Sequence, residues 1–159
     1  MRPLLIVCFL LAGHSSVAQV KVSRQYVKVL DATQRRWSPG TVQKNTSASG
    51  GFIFQIRVKI KRGGNWQFQQ GVFDKKAMPI EVTRQTERNV QGPWRRREVL
   101  TLVGRTDDGA TATPADEAIV DVMLQAGAPA ALVLKVNDNL YLVPIKKITS
   151  STSHQQLSQ

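Results

Sequence analysis

Three basic residues, Arg57, Lys59 and Lys61, alternate with apolar residues in the segment 52–61. A period of two is typical of a β-strand with one buried and one solvated face, on which successive side chains lie roughly 7 Å apart. Positive charges at this spacing repel each other unless an anion neutralises them. The segment therefore predicts a strand whose outer face binds an anionic partner; an ordinary solvated strand face is the alternative interpretation.

Other basic and aromatic residues would enlarge this face if their strands lie beside it. The aromatic candidates are Trp66 and Trp94, whose rings would stack on a partner or anchor it at an interface. Packing in the hydrophobic core is the alternative for both rings. The basic candidates are Lys28, Arg62, Arg95, Arg96 and Arg97.

Few side chains of this sequence are suited to nucleophilic or metal chemistry. There is one cysteine, Cys8, and there are two histidines, His14 and His154. Catalytic triads such as Ser-His-Asp need a histidine held in position as the base, and transition-metal sites need several His or Cys ligands. His154 lies in a polar terminal segment, so we expect no enzyme activity, no metal site and no cofactor. A hydrolase that uses a pair of carboxylates is the remote alternative.

Residues 1–18 have the pattern of a secretory signal peptide. A short positive start is followed by an apolar run, Leu4–Leu11, and by a small polar segment that ends at Ala18. We expect cleavage after Ala18, a secreted or periplasmic location and no transmembrane segment in the product. Cleavage would remove Cys8 and His14.

The charge of the chain is large and unevenly distributed. The formal net charge is +11, and 18 of the 22 basic residues but only 5 of the 11 acidic residues lie within 20–105. Such asymmetry is typical of a protein with a polyanionic partner, although a solvated cationic surface is also possible. Outside the cytoplasm the candidate partners are an anionic envelope polymer, a lipid surface or an acidic protein. The predicted signal peptide argues against a nucleic-acid partner.

The pattern of the rest of the chain predicts mainly strands. A loop is expected over 35–51, and a helix is expected over 114–126, where Pro114 and two acids precede an apolar run that ends before Gly127. A buried strand is the alternative for 119–124. The predicted strands cover 19–31, 52–61, 66–73, 80–86, 94–104, 130–136 and 140–148.

These elements predict an α+β fold with a mostly antiparallel sheet or open sandwich and one helix near 114–126; an all-β sandwich is the alternative. We expect a single domain over 19–148 and a disordered polar tail over 149–159. The predicted function is non-enzymatic recognition of an anionic envelope partner through a basic sheet face. A structural or assembly module of the envelope, which binds a protein partner by its strand edges, is the alternative.

Overall fold

The computed structural model describes residues 20–37, 51–107 and 113–151. The predicted signal peptide, the larger part of the predicted loop 35–51 and the tail from residue 152 lie outside these ranges.

The described residues form two mixed β-sheets and one short helix. Sheet 1 has the strand order β1-β10-β9-β4-β5-β8, and sheet 2 has the order β11-β2-β3-β7-β6. The pairs β1–β10 and β11–β2 are parallel and the others are antiparallel. The predicted sheet-rich fold with one helix is therefore confirmed. The elements are β1 (Lys21–Val22), β2 (Val27–Trp37), β3 (Gly51–Ile60), β4 (Gln67–Phe73), β5 (Lys76–Met78), β6 (Ile80–Thr83), β7 (Val99–Asp107), β8 (Thr113–Pro114), α1 (Glu117–Gln125), β9 (Ala130–Val136), β10 (Asn139–Ile145) and β11 (Thr149–Ser150).

The main hydrophobic core lies between the two sheets. Strand β3 contributes Ile56, Val58 and Ile60, which are almost completely buried, while the residues between them are exposed. The strand predicted over 52–61 is observed as Gly51–Ile60, with a period of two from Phe54 to Ile60. Phe52, which the alternation assigns to the buried face, is instead exposed. Strand β9 is buried over most of its length because it lies between β10 and β4 and is covered on both faces.

A second hydrophobic cluster lies on the other face of sheet 1 and holds the helix. Ile119 and Met123 are one helical turn apart and pack against this face. Asp116 caps the helix, since its side chain accepts a hydrogen bond from the Ala118 N–H at 2.9 Å. The helix begins later than predicted because Thr113–Pro114 pair with β5 instead.

The segment predicted as one strand over 19–31 divides between the two sheets. Lys21–Val22 pair with β10 in sheet 1, and the chain enters sheet 2 at Val27. The alternating valines change phase between Val22 and Val27, and this change marks the crossing. A β-bulge lies further on, between Val29 and Asp31. Which sheet a segment joins depends on its contacts with distant strands, so the local sequence pattern indicates such a crossing only weakly.

Other boundaries also differ from the predicted ones. The strands predicted over 80–86 and 140–148 end at Thr83 and Ile145. Strand β2 continues to Trp37, three residues into the predicted loop, because it pairs with β3 as far as Gly51. The segment 94–98 forms a turn ahead of β7 and is not part of the predicted strand 94–104. Thr149–Ser150, which begin the predicted tail, form β11 beside β2.

Candidate functional site

The antiparallel order of sheet 2 brings six basic residues to one end of that sheet. The start of β2, the end of β3 and the start of β7 meet there: the Lys61 N–H donates to the Tyr26 carbonyl and the Arg97 N–H donates to the Ile60 carbonyl, each at 2.8 Å. We call this region the basic end. It consists of Arg24, Lys61, Arg62, Arg95, Arg96 and Arg97, which are all exposed.

Lys28 and Lys59 lie directly opposite each other on β2 and β3, one step in from the basic end. Both are exposed. Among the described residues neither forms an ion pair with a carboxylate. Like charges directly opposite each other destabilise a sheet. Two unpaired ammonium groups in this position are therefore suited to an anion that bridges them.

Arg57, the first residue of the predicted basic row, is already paired. Its guanidinium donates to the carboxylate of Asp31 on β2 at 3.2 Å. This contact joins residues 26 positions apart, so the spacing of the row did not indicate it. The three residues of the row thus differ: Arg57 is paired, Lys59 lies opposite Lys28, and the Lys61 ammonium donates to the Arg24 carbonyl at 2.9 Å.

A groove of about 660 Å³ runs between β2 and the end of β10, beside the basic end. One wall is the segment 27–32 and the other is the segment 143–147. We call this the basic groove. Five cationic side chains line it: Arg24, Lys28, Lys61, Lys146 and Lys147. Among the described lining residues the one carboxylate is Asp31, which is paired with Arg57.

The groove exists because β2 has a neighbour on only one side at this point. Strand β3 pairs along the whole of β2, but β11 pairs only with Thr33 and Gln34. Within the described chain, no strand pairs with 27–32 on the side away from β3. The facing wall contains Pro144, which has no N–H to donate. The two walls therefore remain apart.

The two predicted tryptophans lie in the core beneath the basic end. Trp66 is 3% exposed and Trp94 is 4% exposed. The Trp94 Nε1–H donates to the Trp66 carbonyl at 2.6 Å, and the Trp66 Nε1–H donates to the Arg62 carbonyl at 3.1 Å. Neither ring is open to a partner at the surface. Both instead hold the β3–β4 turn, and with it Arg62, in place.

The arginines of the segment 95–97 are placed by the turn that precedes β7. The carboxylate of Glu98 accepts a hydrogen bond from the Arg95 N–H at 3.0 Å and forms an ion pair with Arg84. Arg97 has a positive φ of 70°, which allows the chain to reverse direction here. These contacts fix the backbone of the turn and leave the three arginines exposed.

Three cations of the groove were missed by sequence reasoning: Arg24, Lys146 and Lys147. Arg24 was assigned to a strand, although it lies in the crossing between the sheets. The adjacent lysines 146 and 147 are a visible charge signal, but they are 85 or more positions from Lys61. Only the packing of β10 beside β2 brings the two regions together.

No protein-family model matches the chain, and no curated protein and no solved structure matches it. In the described ranges no group of three or more His, Cys, Asp or Glu residues is placed to hold a metal ion. No helix in those ranges is long and apolar enough to cross a bilayer.

Proposed function

We propose that this protein is a non-enzymatic binding protein that holds an anionic partner in the basic groove and against the basic end. The observation that supports this most directly is that five cations line one groove whose single described carboxylate is already paired. The scaffold would be an α+β fold built on an open sandwich, in which the rigid sheets keep the cations at fixed spacing.

The composition of the groove favours a flexible polymer with repeated anionic groups. Four of the five cations are lysines, whose ammonium groups act as mobile point charges, whereas an arginine fork fits one planar carboxylate or phosphate. The predicted signal peptide would direct the protein out of the cytoplasm. Together these features favour an anionic polymer or lipid surface of the cell envelope as the partner.

The proposal is tested by binding to two probes, long-chain polyphosphate and vesicles of phosphatidylglycerol. We expect binding at low salt that weakens strongly towards 1 M salt, where the screening length falls to about 3 Å. The charge reversals Lys28→Glu, Lys146→Glu and Lys147→Glu, combined in one variant, should weaken binding at least tenfold, since each changes the groove charge by two units.

A matched control reverses three exposed arginines outside the groove and the basic end: Arg35→Glu, Arg88→Glu and Arg105→Glu. This control changes the net charge by the same amount as the groove variant but leaves the groove intact. If the groove is the site, the control should therefore retain most of the affinity. Equal losses in the two triple variants would show that net charge alone drives binding. Absence of binding to either probe at low salt would overturn the proposed function.

The free edge of β2 favours a second candidate function, that of an assembly module. A strand of a second copy would pair with 27–32 on the side away from β3, where the described chain supplies no neighbour. Analytical ultracentrifugation should then show an oligomer in which those amides of 27–32 that point away from β3 exchange slowly with solvent. A monomer with fast exchange at these amides contradicts this candidate.

A further inference from the structure

The described residues close the two ends of the main core to different extents. At the basic end, four aromatic rings fill the space between the sheets: Tyr26, Trp66, Phe68 and Trp94. Their centroids lie 5.2–5.7 Å apart for the neighbouring pairs. At the opposite end, where β3 begins, a pocket of about 660 Å³ opens between the sheets beside the helix. Sites for small molecules have volumes of this size and often lie at such openings.

The interior of this opening is apolar. The rings of Phe54 and Phe73, one from each sheet, stack with centroids 3.9 Å apart and an interplanar angle of 22°. Met123 of the helix and Ile148 also line it. We call this site the aromatic pocket. Its main apolar residues are Phe52, Phe54, Phe73, Met123, Leu124 and Ile148.

The rim of the aromatic pocket exposes large hydrophobic side chains. Phe52 is 40% exposed and Leu124 is 53% exposed, although the helix carrying Leu124 has its own buried face. Both residues line the pocket. The backbone at the rim is held in place, because the Phe52 N–H donates to the Thr106 hydroxyl at 2.9 Å. Hydrophobic side chains grouped around an opening are typical of a ligand site.

The charged part of the rim is a turn between β4 and β5. Asp74 and Lys75 both have positive φ, 46° and 61°, and Lys76 follows them. All three side chains are exposed and line the pocket. Within the described ranges none of them forms an ion pair. The rim thus presents two ammonium groups and one carboxylate above an apolar interior.

We propose that the aromatic pocket binds a long-chain aliphatic carboxylate, with the hydrocarbon chain packed on the apolar residues that line the pocket and the carboxylate at Lys75 and Lys76. The apolar interior would accept the chain because burial removes methylene groups from water. The two lysines would accept the head group because their charge outweighs that of Asp74. This site is separate from the basic groove and does not depend on the function proposed for it.

The test is calorimetric titration of the full chain with dodecanoate, below its micelle concentration, and with decanoate and octanoate. We expect one dodecanoate per chain, with affinity rising about fourfold for each methylene added along the series. The neutral 1-dodecanol has the same chain without the charge and should bind several-fold more weakly. Absence of saturable binding, or 1-dodecanol binding as tightly as dodecanoate, would overturn the proposal.

Variants locate the site. Phe52→Glu and Leu124→Glu should each weaken dodecanoate binding at least tenfold, since they place a carboxylate beside the hydrocarbon chain or the carboxylate of the ligand. Val99→Glu is the matched control, because Val99 is 44% exposed on β7 at the other end of the sheet, and it should leave the affinity unchanged. Equal effects of Phe52→Glu and Val99→Glu would contradict this location.

The combined variant Lys75→Glu and Lys76→Glu tests the head group without changing the apolar interior. It should abolish the preference for dodecanoate over 1-dodecanol while 1-dodecanol still binds, which separates loss of the site from loss of folding. An unchanged preference overturns the role of the two lysines. A dimer that dissociates in Phe52→Glu would instead show that a second copy covers the pocket, and this would also overturn the proposal.

Discussion

Replacing Lys59 by glutamine should stabilise the protein, although the change removes a charged residue from an exposed strand. Lys59 lies directly opposite Lys28, and in the described ranges neither lysine has a carboxylate partner. The substitution Lys59→Gln removes this repulsion and keeps a long polar side chain on the same face of β3. The same substitution removes a cation that faces the proposed partner, so the expected gain in stability accompanies a loss of binding.

The size of the effect follows from the geometry of the pair. Directly opposite residues have Cβ atoms about 5 Å apart, and flexible lysine side chains separate the charges a little further. Two unit charges about 6 Å apart in water repel each other by about 0.7 kcal/mol. Screening at physiological salt reduces this repulsion to about 0.3 kcal/mol. We therefore expect Lys59→Gln to raise the free energy of unfolding by about 0.3–0.7 kcal/mol, or the melting temperature by about 1–3 °C.

Urea denaturation at low salt and at 1 M salt measures this gain and its screening. Arg57→Gln is the matched control, since Arg57 lies two residues away on the same face but is paired with Asp31. That variant should lose about 0.2–1 kcal/mol at low salt. Lys28→Gln should give the same gain as Lys59→Gln, and combining the two should add almost nothing, because either change alone removes the repulsion. A destabilised Lys59→Gln, or a gain that 1 M salt leaves unchanged, would refute the reasoning.

Three further predictions concern the scaffold. Trp94→Phe keeps a buried ring but removes the donor to the Trp66 carbonyl, so it should cost about 1–3 kcal/mol in urea denaturation; an unchanged midpoint contradicts the importance of that hydrogen bond. Asp116→Ala removes the helix cap and should cost about 1 kcal/mol, whereas Asp116→Asn should restore most of the loss if the cap is the cause. Met123→Ala should cost about 2–5 kcal/mol because the side chain is buried, while Leu124→Ala should stay within about 0.5 kcal/mol; similar costs for the two would show that the helix faces another way.

Local sequence patterns predicted the elements whose burial is uniform along their length. Strand β3 has one buried and one exposed face, and this produces the period of two in 52–61. The short helix was predicted in the right place, but its start was not, because Thr113–Pro114 pair with a distant strand. The crossing between the sheets at Ser23–Tyr26 was also missed. It depends on which strands are neighbours, and a local pattern does not encode this.

The candidate site was only partly predictable for the same reason. Arg57, Lys59 and Lys61 were identified from their spacing, and the structure places all three on or beside the same end of β3. The pairing of Arg57 with Asp31 was not predictable, since a distant strand supplies the carboxylate. The five groove cations come from three separate parts of the chain, 24–28, 61 and 146–147. The pairing of β2 with β3 and the approach of the end of β10 to β2 bring them together.

The sequence by itself determined the excess of basic residues, the pattern of a secretory leader, the scarcity of thiol and imidazole groups, and the alternation that forms the strands. These are properties of composition and of neighbouring residues, so they exist before the chain folds. The tertiary structure decided which cations meet, which of them are already paired, and that both tryptophans are buried. It also decided that, among the described residues, aromatic rings close one end of the core while a pocket opens at the other. Such features arise from contacts between distant residues, and these form only when the two sheets pack against each other.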